Sequence, residues 1–512
     1  MKLVFSYPIL IGTSIIPLSF SSHEAELIDD INMRVLKKKN KNVFDKNSGG
    51  STKSSKKSKR RPKTKKPTPS PTPPPSNNNN KNNNCNGKCY TIVEKKVTIS
   101  DPPTSRVCPR HSYCIEEVIT STSSECFGAD DGGWDGALFN AVRDYVDQDC
   151  ADDNECPIAQ TYGWPMNSWC VGSVKDMSNL FYEMDTFNED INGWNTSSVT
   201  NMNGMFSGAS VFNGDVSNFD TSSVTDMGYM FYGATLRASS FNQDVSNFNT
   251  SRVTNMFGMF WGAYFFNQDL SNFDTSKVTD MRSMFRDASS FNQDLSNFDT
   301  SSVTSMWYMF SGASSFSGRG IANFDTSSVT NMESMFSLAS SFNGDVSNFD
   351  TSSVTNMESM FAEASSFNGD LSNFDTASVT NMYGMFMDAS SFNQDVSKFD
   401  TSSVTRMDGM FQGASSFNRD LSNFNTSRVT HMGNYIEGGA TVGMFWGATS
   451  FNGDVSNFDT SRVIDMTGMF YGAISFNRDL SNFDTSSVTN MRWMSVVLAI
   501  SVKTYQTLTP QA

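Results

Sequence analysis

Histidine and cysteine are scarce in this 512-residue chain, and their placement narrows what the chain can do. It has three histidines and eight cysteines, and from Gly172 to Met494 it has no cysteine and one histidine, His431. A stretch without thiols and with a single imidazole offers little from which to build a nucleophile–base pair or a zinc site. The expectation is a protein that is not an enzyme. Long apolar runs are missing as well. Leu3–Leu18 is broken by Pro8 and Pro17, and Val496–Val502 is far shorter than the roughly 20 residues a membrane helix needs, so no transmembrane span is expected. The glycine-rich spacing of calcium-binding β-solenoids is also absent.

What is present is a repeat of about 25 residues, S-F-N-x-D-[LV]-S-N-F-D-T-S-S-V-T-x-M-x-x-M-F-x-G-A-S. Its valine recurs at Val174, Val199, Val224, Val253, Val278, Val303, Val329, Val354, Val379, Val404, Val429, Val463 and Val488. Self-similarity at such a period marks a solenoid, whose units bury their apolar faces only against neighbours. In the unit of Val199, the residues Val199, Met202, Met205, Phe206 and Ala209 form one stripe of a short helix. Ser198 would be its N-cap, with glycine at or near its end, as at Gly208, Gly233, Gly262, Gly312, Gly413 and Gly472. Asp287, Glu363 and Asp388 fill that place elsewhere, so glycine is preferred there but not required. The segment Phe212–Phe219 would enter a short parallel strand through Val216, with Phe212 and Phe219 in the core. The expected architecture is therefore α/β: a right-handed, leucine-rich-repeat-like solenoid of about thirteen units, spaced by roughly 4.8 Å.

The chain divides into five parts. Residues 1–21 read as a signal peptide, with Lys2 ahead of the apolar stretch and Ser19-Phe20-Ser21 at its end. Residues 22–84 are basic, then Pro-rich, then Asn-rich, and are expected to be disordered. Between Arg34 and Lys66 there are 15 basic residues and one acid, against 23 basic and 52 acidic residues in the rest of the chain. Lys56, Lys57, Lys59, Arg60, Arg61, Lys63, Lys65 and Lys66 suit either a tether to a polyanion or a solvated linker with no partner. Behind a signal peptide that polyanion is extracellular, and nucleic acid is not expected. Residues 85–171 hold all the cysteines: Cys85, Cys89, Cys108, Cys114, Cys126, Cys150, Cys156 and Cys170. An even number in an exported chain implies four disulfides in a cap or small module, with 105 pairings open. A zinc site starting at Cys85 and Cys89 lacks partners, since His111 is the one histidine of the block. Residues 172–494 are the repeats.

The tail, 495–512, leaves the pattern where the next residue should be phenylalanine. Restoring one T to a back-translation of the tail yields F-C-G-A-S-N-F-G-Q-D-L-S-N-F-D-T-S-S, close to the preceding Phe470–Ser487. The tail is thus expected to be a frameshifted reading of a further repeat.

The quoted strings, above all D-[LV]-S-N-F-D-T-S-x-V-T-x-M-x-x-M-F-x-x-A, resemble the BspA-type leucine-rich-repeat surface proteins, including the related repeat of mycoplasma lipoproteins. The resemblance covers Gly172–Met494 and implies a secreted or cell-surface protein concerned with adhesion to a matrix, a glycan or another protein. The Lys-rich arm and the Cys-rich block depart from that pattern, and no lipobox cysteine follows the signal, so lipid anchoring is not implied.

Three sets of residues are candidate sites on the array. Asp190, Asp215, Asp244, Asp269, Asp294, Asp345, Asp370, Asp395, Asp420, Asp454 and Asp479 occupy one position in successive units. Stacked, they would form a ladder of like charge, stabilised either by Ca²⁺ or by backbone N–H groups of their own turns. Calcium is the one cofactor that this pattern suggests. Asn195, Asn249 and Asn425 open N-T-S sequons where most units carry Asp, and are candidate glycosylation sites on an accessible turn. The Ser and Thr of D-T-S-S-V-T would form regular rows, which suit either an ice or mineral surface or local capping.

Overall fold

The computed structural model describes residues 125–233, 239–435 and 441–494, together with the backbone of three short strands nearer the N-terminus. The signal segment, the basic arm, Cys85, Cys108 and the 495–512 tail lie outside the described residues. Two compact units divide the chain, Met1–Ser123 and Ser124–Ala512. In the first, β1 (Cys89–Val93), β2 (Lys96–Ser100) and β3 (Ser112–Cys114) form an antiparallel sheet of order β2-β1-β3.

The second unit begins with α1 (Ala137–Asp147) and α2 (Pro157–Tyr162). Leu138, Ala141, Val142 and Tyr145 fall on one face of α1 and are buried. Disulfides Cys126–Cys170 and Cys150–Cys156 tie this segment together. Trp169 joins it to the first repeat: its ring stacks on Trp194 at 6.4 Å and meets Tyr145 edge-on at 5.5 Å. The N–H of Gly133 donates to the carbonyl of Asp176 at 2.9 Å, supplying a partner that a preceding unit would otherwise give.

The repeats fold differently from the expected helix and strand. Among the described residues, no α-helix lies between 172 and 494, and Val216 is not in a strand. The segment from Met202 to Ala209 is a run of reverse turns. Its N–H groups alternate between two destinations. Met205, Ser207 and Ala209 donate to carbonyls three residues back, Met202, Gly204 and Phe206. Met202, Gly204, Phe206 and Gly208 donate to Asp226, Gly228, Met230 and Tyr232 of the next unit at 2.7–2.9 Å. An α-helix would keep all these donors inside one unit and leave its neighbours unbonded. The turns satisfy the backbone locally and between units at once. Isolated parallel bridges mark the same stacking, from Asp176 opposite Asn201 through to Asp465 opposite Asn490.

This path needs left-handed residues. Gly208, Gly262, Gly312, Gly413 and Gly472 have φ between 64° and 74°, and Asp287, Glu363 and Asp388 adopt φ of 55–58° at the same position. Glycine is thus favoured because an L-residue there costs roughly 1–2 kcal/mol, not because it ends a helix. Ser198, expected as an N-cap, instead donates its hydroxyl to the carbonyl of Gly172 at 2.7 Å.

The apolar stripe is fully buried all the same. Phe206, Phe231, Phe260, Phe285 and their equivalents form one column of near-parallel rings with 5.2–5.9 Å between centroids. Phe212, Phe241, Phe266 and Phe291 form a second at 6.1–6.2 Å. Both spacings exceed the 4.8 Å expected between backbones. The two columns touch within each unit, as at 4.0 Å between Phe206 and Phe212.

Candidate functional site

The aspartate row is built into turns. Asp190 Oδ1 accepts the N–H of Asn192 at 2.9 Å, and Asp215, Asp244, Asp269, Asp294, Asp345, Asp370, Asp395, Asp420, Asp454 and Asp479 each accept the N–H of the serine two residues on at 2.8–3.0 Å. The serine N–H and then its hydroxyl hold the carboxyls of Asp244, Asp294 and Asp395 below the ordinary range, so they are charged near neutrality. Amides bridge the first rungs, with Asn192 Nδ2 donating to Asp215 Oδ2 at 2.8 Å. No three His, Cys, Asp or Glu side chains converge as a metal site among the described residues.

Asn195, Asn249 and Asn425 are exposed. Each accepts the N–H of the serine two residues on through Oδ1 at 3.1–3.2 Å, as Asp220 and Asp274 do at 3.0 Å. An acceptor oxygen is what the position requires, and Asp and Asn supply it equally. The two threonines of D-T-S-S-V-T part ways. The first is buried, and its hydroxyl donates to the next unit, as Thr250 does to the Asp274 carbonyl at 2.9 Å. The second is exposed from Thr200 through Thr405, and its hydroxyl donates to the preceding unit, as Thr225 does to the Thr200 carbonyl at 3.1 Å.

A different surface breaks the uniformity. Four, five and eight residues after the valine, the side chains point away from the phenylalanine columns and vary from unit to unit. In four consecutive units they include Tyr229, Tyr232, Phe257, Trp261, Arg282, Arg286, Trp307 and Tyr308. These side chains meet one another. Tyr229 lies edge-on to Phe257 at 4.8 Å, and Tyr232 to Trp261 at 5.0 Å. Arg282 caps the Phe257 ring at 4.9 Å, and Arg286 stands 4.5 Å from the ring centres of both Trp261 and Tyr308. Carboxylates fix the guanidinium groups: Arg282 pairs with Asp280 at 2.7 Å and Arg286 with Asp287 at 3.6 Å. Trp261 Nε1 donates to Asp287 Oδ2 at 3.3 Å. Burial pushes the Tyr229 and Tyr232 phenols up, so both remain neutral donors. At the edge of this cluster Tyr264 is 36% exposed and Phe265 59%, where the next unit carries Ser289 and Ser290. The aromatic and arginine residues that follow each valine by four, five or eight places occupy the x positions of the consensus, where the periodicity carries no information. The signal was there, in aromatic and arginine residues crowded into the variable positions of four adjacent units.

The family model described as "Mycoplasma protein of unknown function, DUF285" matches residues 158–236, 235–319, 293–386, 341–442 and 439–496, well over half of the chain. The chain belongs to that family. No curated protein and no solved structure matches it. A DUF285 unit thus has two kinds of position. The buried Val, Met, Phe and Thr and the turn-forming Asp and Asn recur because stacking requires them. The outward variable positions are not fixed by that requirement, and on these the DUF285 array carries its aromatic–arginine face. A smaller group lies further along, where Arg406 caps Tyr383 at 4.8 Å and pairs with the wholly buried Asp408 at 2.7 Å. His431, the array's single histidine, occupies a bridge position between Arg406 and Asp465.

Proposed function

We propose that the chain is a secreted or cell-surface scaffold without catalytic activity, a DUF285 solenoid that binds a sugar polymer through the face running from Tyr229 to Tyr308. One observation carries this reading. Units that carry Gly or Ser five residues and Ser or Ala eight residues after the valine, as Gly204 with Ser207, Ser334 with Ser337 and Ser359 with Ala362, keep the same buried columns and hydrogen bonds, so stacking does not require the aromatic side chains. Tyr, Trp and Arg held in place beforehand are the residue types that dominate binding energy at recognition surfaces. Flat rings edged by phenol, indole and guanidinium donors suit a pyranose, which has an apolar C–H face and a rim of hydroxyls.

The test is binding of the full chain to immobilised neutral, uronate-rich and sulfated polysaccharides, compared with a Tyr264→Ala/Phe265→Ala variant. At least one polymer should be retained by the parent chain, and the variant should lose roughly tenfold in affinity, about 1.4 kcal/mol. Equal binding by the two proteins, or no binding to any polymer, defeats the reading.

A second reading rests on the exposed threonines Thr200, Thr225, Thr254 and Thr279, which follow one another unit by unit. Such a row suits an ice or mineral lattice, and inhibition of ice recrystallisation by the chain would favour it over sugar binding.

A further inference from the structure

The described disulfides, Cys126–Cys170 and Cys150–Cys156, leave Cys85, Cys89, Cys108 and Cys114 to be paired. Three arrangements remain. Local bridges, Cys85–Cys89 with Cys108–Cys114, have a precedent in this chain, since Cys150–Cys156 spans a sequence separation of 6. Nested bridges would join Cys85 to Cys114 and Cys89 to Cys108. The third arrangement joins Cys89 to Cys114 and Cys85 to Cys108.

The backbone of the N-terminal sheet separates these. β1 and β3 are antiparallel, and Cys89 is the direct register partner of Cys114, with Tyr90 opposite Tyr113 and Thr91 opposite Ser112. Direct partners in an antiparallel pair share a face and have Cα atoms about 4.5 or 5.5 Å apart, depending on whether the site is hydrogen-bonded. Both distances fall within the range of about 4.4–6.8 Å that a disulfide spans. The second described bridge in this chain has a Cα separation of 5.6 Å.

We infer that Cys89 and Cys114 form a disulfide across β1 and β3, and that Cys85 pairs with Cys108. Each bridge forms when two thiols give up two protons and two electrons, by thiol–disulfide exchange, to the disulfide of an oxidoreductase that leaves as a dithiol. The four bridges then sort into two pairs: two among the cysteines of 85–114 and two among those of 126–170. No bridge crosses between these sets, and the peptide chain from Ile115 to Glu125 is the sole covalent link between them.

Protease sites in the sequence make this directly readable. Trypsin cuts after Lys88, Lys95, Arg106 and Arg110, which places Cys85, Cys89, Cys108 and Cys114 on four different peptides. Glutamyl endopeptidase cuts after Glu116, Glu117 and Glu125, and so separates Cys114 from Cys126. Full-length protein from an oxidising secretory host is alkylated without reduction, digested with both enzymes and mapped by mass spectrometry. The expected products are the Cys89 peptide linked to the Cys114 peptide and the Cys85 peptide linked to the Cys108 peptide. Any other partner for Cys89, or free thiols at Cys89 and Cys114, overturns the assignment. A Cys89→Ser variant gives an independent readout: Cys114 should become the one thiol that alkylates. Labelling at Cys85 or Cys108 in its place would contradict the pairing.

Discussion

The guanidinium of Arg286 stands 4.5 Å from the ring centre of Trp261 and 4.5 Å from that of Tyr308, so one cation joins aromatic residues of the unit before it and the unit after it. Replacing Arg286 with alanine removes both contacts and leaves Trp261 and Tyr308 without their shared neighbour. Arg286→Ala should lower stability by about 1–2 kcal/mol in denaturant melts and shift the tryptophan emission to the red. Arg462→Ala is the control. Arg462 is exposed where other units carry serine, and its loss should change stability by less than about 0.5 kcal/mol. Equal effects of the two substitutions would show that the ring contacts contribute nothing.

Phe361 lies between Phe336 and Phe386 at 5.7 Å on each side and against Phe367 at 3.9 Å. Phe361→Ala opens a gap in a column whose rings touch only their neighbours. The expected cost is about 3–5 kcal/mol, with the melt separating into two transitions as the units on either side uncouple. A single transition displaced by less than about 1 kcal/mol would contradict the column as the unit-to-unit connection.

Glu363 and Asp388 sit at the left-handed position of adjacent units. Burial, and for Glu363 then the neighbouring Asp388, raises both carboxyls above their ordinary values. The folded state therefore binds protons here more tightly than the unfolded chain does. The sign follows: the pair costs nothing at a pH below the ordinary carboxyl range, and its penalty develops as the pH rises through the elevated folded values. Glu363→Gln/Asp388→Asn should raise the urea midpoint at pH 7.5 and leave it unchanged at pH 3. A variant less stable at pH 7.5 would reverse the argument.

Cys126–Cys170 closes a loop with a sequence separation of 44, and chain entropy gives such a closure about 4 kcal/mol. The paired change Cys126→Ser/Cys170→Ser should lower stability by about that amount. Loss should begin at the N-terminal end of the array, with faster amide exchange at Asp176–Phe181 than at Met332–Phe336. Uniform exchange along the array would argue against a stabilising role at that end.

The burial of Val199, Met202, Met205, Phe206 and Ala209 was legible in the sequence, whereas their backbone conformation was not. A helix and a run of turns hide the same side chains. What separates them is the destination of the N–H groups of Met202, Gly204 and Phe206, which is a carbonyl 24 residues further on. Periodicity within one unit carries no record of that partner. The interchange of Asp and Asn at Asn195, Asn249 and Asn425 did point to a hydrogen-bonding oxygen, because a turn of two residues is a local matter. The two threonines looked alike in the motif, yet Thr250 is buried and Thr254 exposed. Their opposite fates follow from the reverse turn between them: the Val253 N–H bonds back to the Thr250 carbonyl at 2.9 Å, so the chain changes direction before it reaches Thr254. The site residues Tyr229, Trp261 and Arg286 were hidden by the consensus itself, since a repeat is written down by discarding what varies.

One unit accommodates far more chain than the others. Between Met432 and Met444 lie eleven residues where other units have two, including the antiparallel strands β4 (Gly433–Tyr435) and β5 (Thr441–Gly443). The excursion leaves the stacking intact. Met444 still donates to the Met432 carbonyl at 2.8 Å, Phe411 still donates to Met444 at 2.9 Å, and both methionines stay buried. Thr426 likewise reaches across to the Asp459 carbonyl at 2.9 Å. The gap between the two methionines is therefore a natural grafting port. A foreign hairpin joined between Tyr435 and Thr441 would extend this excursion while keeping Gly433 and Gly443, which pack tightly against the backbone of Thr467 and Gly468 in the next unit.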